Sequence, residues 1–498
     1  MPSNFAYFTI LIWPLVTIVL FRMTSPTRAA VISIVFGYLF LPVQTRFNLP
    51  LLPAYDKDLA AGLPALIMLM ILSGSQRRTD PTNMVVTQGW LPQVPLLKLC
   101  FVVLLASPFV TSLVNNQPVV SGARVLQALG PYDAASAALS ASVTLIPFLI
   151  ARKFLAHPRD HAMLLGVLCL AGLIYSLPTL FEVRMSPQLN RMVYGISPNW
   201  LMSQRGGGYR PSVFMGHGLR LGIFLTVATL ATLGFLRTRT GASKLRLYVA
   251  AAWLLVTLVL CKSLGALLIA AVLAPVILFL NVRVQLLVAA SLAALVLLFP
   301  MARSTGIFPV DTVTQTVAAL ADEDRQRSLN FRFKNEDILL DHASKRPLFG
   351  WGGWGRARVY DENGNSAVTT DGLWIIIFGE GGWVRYLSQF GLMTFPIILL
   401  ALRRRRLEVT FATSALALVL VANLIDLIPN SGMSPLVWLA AGAIAGRLDL
   451  AHSSALDPVA DTSTDARGSR KERIAYSRFP NGRREDARSR YRPTHKEV

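Results

Sequence analysis

Apolar positions in this chain come in long runs rather than in alternation. Residues 5–21, 96–114, 219–236 and 284–299 are four of them. Each is close to the ~20 residues that a helix needs to cross the hydrocarbon of a bilayer. No period-2 pattern marks a membrane β-barrel. In hydrocarbon every backbone N–H and C=O has to be satisfied within the protein, so the runs are predicted to be helices.

Basic residues fall between the runs. Arg22 and Arg28, Arg77 and Arg78, Arg152 and Lys153 with Arg159, Arg237 to Arg246, Arg283, and Arg403 to Arg406 form clusters that the positive-inside rule assigns to the cytoplasm. The segments between them, 45–58, 115–136, 182–218, a tight turn near 262–264, 302–372 and 429–434, then alternate to the outside. The expectation is an all-α, polytopic transmembrane bundle of about 12–13 spans over residues 1–450, with the N-terminus outside and the C-terminus inside. Two large periplasmic loops, 182–218 and 302–372, interrupt it. The first run lacks a charged stretch before it and a small-residue cleavage site after it, so it is expected to be retained as a helix. Residues 247–280 fit either one broken helix or two helices around Cys261-Lys262-Ser263.

Composition supports a membrane protein. The chain has 498 residues, 53% hydrophobic and 15% charged, and its mean hydropathy is +0.50; soluble domains carry about 25% charged residues. The net charge of +21 does not point to nucleic acid, because most Lys and Arg sit in the short clusters between spans. The tail 451–498 is different: rich in Arg, Ser, Asp and Pro and poor in aliphatics, it is expected to be disordered, basic and cytoplasmic. Such a tail suits contact with anionic membrane lipids, or serves only to solubilise. Cys100, Cys169 and Cys261 lie within apolar runs without metal-ligand spacing and read as small buried hydrophobes.

Loop 182–218 breaks the charge rule. It carries Arg184, Arg191, Arg205 and Arg210 against one acid, Glu182, and no Lys. Short outward loops avoid such charge. Arginine in place of lysine suits bidentate recognition of phosphate or carboxylate; lipid headgroups or ion pairs with the second loop are the alternative.

The second loop contains a helical stretch in which Leu329, Phe333 and Leu340 share one stripe, while Arg332 and Glu336 stand at i,i+4 on another face, where a surface salt bridge is the plain reading. Asp322-Glu323-Asp324 reads as a solvated acidic face rather than a metal-holding pair. Gly350 to Gly355 formally spells G-x-G-x-x-G, but no strand precedes it, and a Gly/Trp turn at the bilayer interface accounts for it better. The loop ends at Asp371, where the chain re-enters the membrane, and Glu380 follows inside an apolar segment. An acid at such a depth is either functional or paired, here with Arg385.

Three blocks together resemble the O-antigen ligase and O-antigen polymerase superfamily of polysaccharide-assembly proteins. Arg210-Pro211-Ser212 through Gly216-His217-Gly218 is similar to the family's arginine-proline block before a span. Arg332 followed by Pro347-Leu348-Phe349-Gly350 is similar to its arginine, helix and glycine turn, and Asp371-Gly372 through Glu380-Gly381-Gly382 to the end of its large loop. The likeness covers roughly residues 131–406. Asp371 stands where family ligases usually have His, and Gly216-His217-Gly218 replaces a commoner proline-asparagine form.

The resemblance implies a metal-independent, cofactor-free transfer of glycan from undecaprenyl pyrophosphate, at the outer face of the bacterial inner membrane, to a glycan or lipid acceptor. Catalysis would fall to Arg210, Arg332, Asp371 and His217, and substrate binding to Arg191, Arg205, Glu336 and Glu380. Arginines would stabilise the departing diphosphate, and Asp371, His217 or Glu336 would take the acceptor's proton. A polymerase and a ligase share this donor. A flippase of lipid-linked sugars would instead need charges along a central cavity, and a scaffold would need none of these residues.

Overall fold

The computed structural model describes residues 2–48, 53–76, 86–205, 207–312, 314–315, 323–407 and 409–456. The expectations for Arg77, Arg78, Asp322 and the tail beyond residue 456 therefore lie outside the described residues, as do those for the side chains of Arg205, Glu323 and Asp324.

The elements in order are α1 (Asn4–Met23), α2 (Pro26–Phe40), α3 (Lys57–Gln76), α4 (Pro95–Val114), the hairpin β1 (Val119–Ser121) and β2 (Arg124–Leu126), α5 (Pro131–Thr144), α6 (Ile146–Phe154), α7 (Pro158–Met185), α8 (Leu189–Tyr194) and α9 (Trp200–Ser203). A two-residue hairpin, β3 (Gln204–Arg205) and β4 (Gly208–Tyr209), precedes α10 (Gly218–Leu236), α11 (Ala242–Leu260), α12 (Leu264–Phe279), α13 (Val282–Ser304), α14 (Glu323–Ser344), α15 (Leu373–Leu402), α16 (Phe411–Asp426) and α17 (Pro435–Leu456). The protein is an all-α, multi-pass membrane bundle. Among the described residues, eight helical segments are long and apolar enough to cross a membrane, with α5 and α6 joined as one of them. Helices α2, α12 and α16 are apolar but shorter. The chain around Cys261-Lys262-Ser263 separates two helices, α11 and α12, rather than continuing one.

The most enclosed span is α10, packed among α7, α11, α12 and α16. Small residues set that closeness. A Cβ on Gly172 would stand 2.5 Å from the Ala228 methyl, and one on Gly234 2.5 Å from the Ala415 methyl. Tight backbone approach is how helices gain dispersion contacts in lipid, where burial of apolar surface brings no advantage.

The ends of the bundle differ in chemistry. At one end Arg237 donates to the Leu278 carbonyl and lies over the Phe411 ring, Arg447 donates to the Leu407 carbonyl, and Arg152 pairs with Asp449. Arg152 and Arg237 belong to the clusters assigned to the cytoplasm. At the other end stand Arg210, His217, Arg303, Arg332 and Asp371.

Helix α15 is broken at Gly382, whose φ is 62°. The motif Pro347 to Gly352 plugs the break. Trp351 and Gly352 donate their N–H groups to the Gly379 and Glu380 carbonyls at 2.9 and 2.8 Å, and the Pro347 and Leu348 carbonyls accept from Trp383 and Val384 at 2.8 and 3.2 Å. Non-helical backbone at membrane depth survives only when it is satisfied in this way. A Cβ on Gly350 would fall 2.5 Å from the Glu380 carbonyl carbon, and Gly350 itself has a φ of 63°. The glycines of this turn thus serve backbone-to-backbone docking. Arg356, 1% exposed, locks the same turn to the β1–β2 hairpin by donating to the Gln117, Gln127 and Trp351 carbonyls.

Candidate functional site

Glu182, buried at the end of α7, positions the first loop. Its carboxylate accepts from the backbone N–H groups of Leu189, Ser212 and Val213 at 2.9, 2.9 and 2.7 Å. The Tyr175 hydroxyl accepts from the Phe214 N–H at 3.1 Å. The lone acid of the loop is thus an anchor for the Arg210-Pro211-Ser212 block, not a counter-charge. Arg210 donates its backbone N–H to Ser203, and its stem lies on Gly218, where a Cβ would stand 2.2 Å from Cδ.

His217 caps α10. Its Nδ1 accepts the Leu219 N–H at 3.1 Å, so the neutral ring carries its proton on Nε2 and presents a donor there. Burial, then the charges of Arg210, Arg220 and Arg332, hold its pKa below the ordinary value. Those three guanidiniums, and Asp371, therefore lie close enough to act on one imidazole.

Arg332 projects from α14. Its Nε is 3.3 Å from Asp371 Oδ2, and its Nη1 donates to the Pro429 carbonyl at 3.4 Å. Both side chains are about one-third exposed, at 29% and 33%. Arg332 does not pair with Glu336, contrary to the i,i+4 reading. The face that carries Glu336 is also not the outer one, because Asn335, Glu336, Leu339, Leu340 and Ala343 are the buried positions of α14. Trp374 Nε1 donates to Glu336 Oε1 at 3.4 Å, and Arg303 Nε lies 3.7 Å from Oε2. Burial outweighs Arg303 and pushes the Glu336 carboxyl from 4.5 up to about 7.

The protein therefore binds a proton at Glu336 on folding between those two values. The stability tied to the protonated acid is fully present below about 4.5 and is lost as pH rises through about 7, by at most a few kcal/mol. In detergent, the wild-type unfolding temperature should fall between pH 5 and 8 by more than that of Glu336→Gln. Parallel curves would show that Glu336 is solvated.

The sequence-predicted residues thus separate. Arg210, His217, Arg332 and Asp371 converge at the end of the bundle opposite Arg152 and Arg237. Arg191 is exposed on α8, away from the contacts just described. Glu380 pairs with Arg385 at 2.9 Å and lines a different cavity. Arg220 was not foreseen. It sits one turn into α10, against Gly432, where a Cβ would be 3.2 Å from its Cγ, and it walls a cavity of about 420 Å³ with Lys57, Asp56 and Asp58. Its signal was a single charge within the apolar run 219–236. Arg303 was also missed; it is buried and donates to Asp337 at 2.7 Å.

Residues 249–384 match the O-antigen ligase family. Over this stretch the resemblance to that superfamily is borne out, and with it a glycosyl-transferring membrane enzyme of the ligase or polymerase kind in polysaccharide assembly. The match includes Arg332, Glu336, Asp371 and Glu380, while Arg210, His217 and Arg220 join the site from outside it. No curated protein and no solved structure matches the chain.

Proposed function

We propose that this chain is a polymerase that joins glycan units carried on undecaprenyl pyrophosphate, at the outer face of the bacterial inner membrane, in O-antigen or exopolysaccharide assembly. The observation that carries this reading is the convergence of Arg210, Arg220 and Arg332 on His217, beside Asp371, at the end of the bundle opposite the basic clusters. Three fixed cations and an N–H donor form a receptor for a lipid diphosphate, whose charge grows as it leaves.

In the reaction the acceptor hydroxyl oxygen bonds to the anomeric carbon of the donor sugar. The carbon–oxygen bond to the diphosphate breaks, and its electron pair departs on the lipid diphosphate. Asp371 accepts the hydroxyl proton. It already touches the guanidinium that the diphosphate would take over, so donor binding and base release share one residue, Arg332. His217 donates through Nε2 and is not the base. A ligase would use the same donor half and differ only in the acceptor.

The test is reconstitution. Protein in sealed vesicles, given a glycan on undecaprenyl pyrophosphate and no nucleotide sugar, should release free lipid diphosphate and lengthen the glycan. Movement of the lipid across a bilayer with no diphosphate released would make it a flippase. A product formed only on a lipid A-core acceptor would make it a ligase.

A further inference from the structure

Three cavities share walls. The first, about 410 Å³, lies between α5 and α15 and meets Asp133, Ser136, Trp354, Glu380 and Gln389. The second, about 310 Å³, shares Ser140, Thr144 and Trp438 with it and reaches Asp56 and Asp58. The third is the cavity of Lys57 and Arg220, which shares Asp56 and Asp58 with the second.

Two features of the walls point to a ligand rich in hydroxyls. Trp438 is 1% exposed, and its Nε1 has no hydrogen-bond partner among the described groups; its side chain lines both the first and second cavities. A buried donor left unmet is costly. Trp354, at the mouth, is 72% exposed and has a φ of 58°. A bulky side chain in the left-handed region is strained, and such strain gathers at ligand sites. Around these rings stand carboxylates, the Arg385 guanidinium, an amide and hydroxyls. A polyprenyl tail there would strip water from Asp133 and Glu380 without replacing it. A saccharide offers hydroxyls to those groups and to Trp438 Nε1, and the apolar faces of its rings to Trp354.

Building on the proposed transfer reaction, we propose that these cavities form one saccharide channel, which holds the glycan from the diphosphate site at Arg220 to the mouth at Trp354. The chain occupies it while the reacting end sits at the arginines, so the channel governs how long a glycan is retained.

Trp354→Gly removes the ring and relieves the positive φ, so it keeps the fold. Trp438→Phe removes the N–H donor and leaves a smaller ring against Phe148. In a strain that lacks the native copy, each variant should shift the glycan ladder several-fold toward short products at wild-type membrane levels, with Arg332→Ala as the blank. Ladders from Trp354→Gly and Trp438→Phe that match wild type, beside a blank Arg332→Ala lane, overturn the channel and leave the enzyme standing. A full ladder from Arg332→Ala overturns both. Lowered membrane levels of Trp354→Gly with a normal ladder from Trp438→Phe also overturn the channel and make Trp354 an interface anchor.

Discussion

Arg332→Ala and Arg210→Ala are each expected to lower glycan product by about 10²–10³-fold, while the protein reaches the membrane at wild-type abundance. The size follows from the transition state. Negative charge develops on the departing diphosphate, and a fixed donor aimed at such charge is worth that factor when removed. The Arg332 side chain does not carry the fold. Arg332 is partly exposed and touches Asp371 and one carbonyl, and Arg210 is held through its backbone and stem. Arg332→Lys should recover little, because an ammonium cannot hold a phosphate with two parallel donors. Lipid-linked single units should accumulate on the outer face in these strains. The measurement is glycan length by gel, with protein level by immunoblot of membranes. Long glycan at normal yield from Arg332→Ala would remove the diphosphate site from the mechanism.

Much of the fold was legible because the bilayer imposes one strong rule. An apolar run of sufficient length has a single way to satisfy its backbone, and basic clusters mark one side. The break at Gly382 was not legible, because the residues that satisfy it lie in Pro347 to Gly352, and no local pattern links the two. The site was half legible. Arg210 and Arg332 stood out as charges in the wrong place or in a motif. Arg220 was hidden inside a run judged by its average, and Glu336 was placed on the wrong face of α14 because the stripe was counted on Leu and Phe alone. Glu182 looked like a weak counter-charge, whereas three backbone N–H groups converge on it. In each case the deciding contact is long-range, and sequence spacing carries no record of it.

The largest effect on stability should come from the opposite end of the bundle. Arg152 and Asp449 form an ion pair with both side chains 0% exposed. Asp449 Oδ1 also accepts the Gln93 and Val94 N–H groups at 3.0 and 3.1 Å, and Arg152 Nη2 donates to the Gly89 carbonyl at 2.7 Å. The pair thus ties α6 and α17 to the segment that leads into α4. Asp449→Ala would leave a buried guanidinium without its counter-charge and two N–H groups without partners, a loss of about 3–5 kcal/mol. A sharply lower unfolding temperature in detergent and low membrane abundance are expected. Arg152→Met with Asp449→Leu should recover part of that loss, since it removes the uncompensated charge but not the orphaned backbone groups. Per folded molecule, the double variant should keep its transfer activity, because the pair lies at the other end from Arg332 and Asp371. A wild-type unfolding temperature for Asp449→Ala would mean that water reaches Arg152, and the buried pair would then have no structural role.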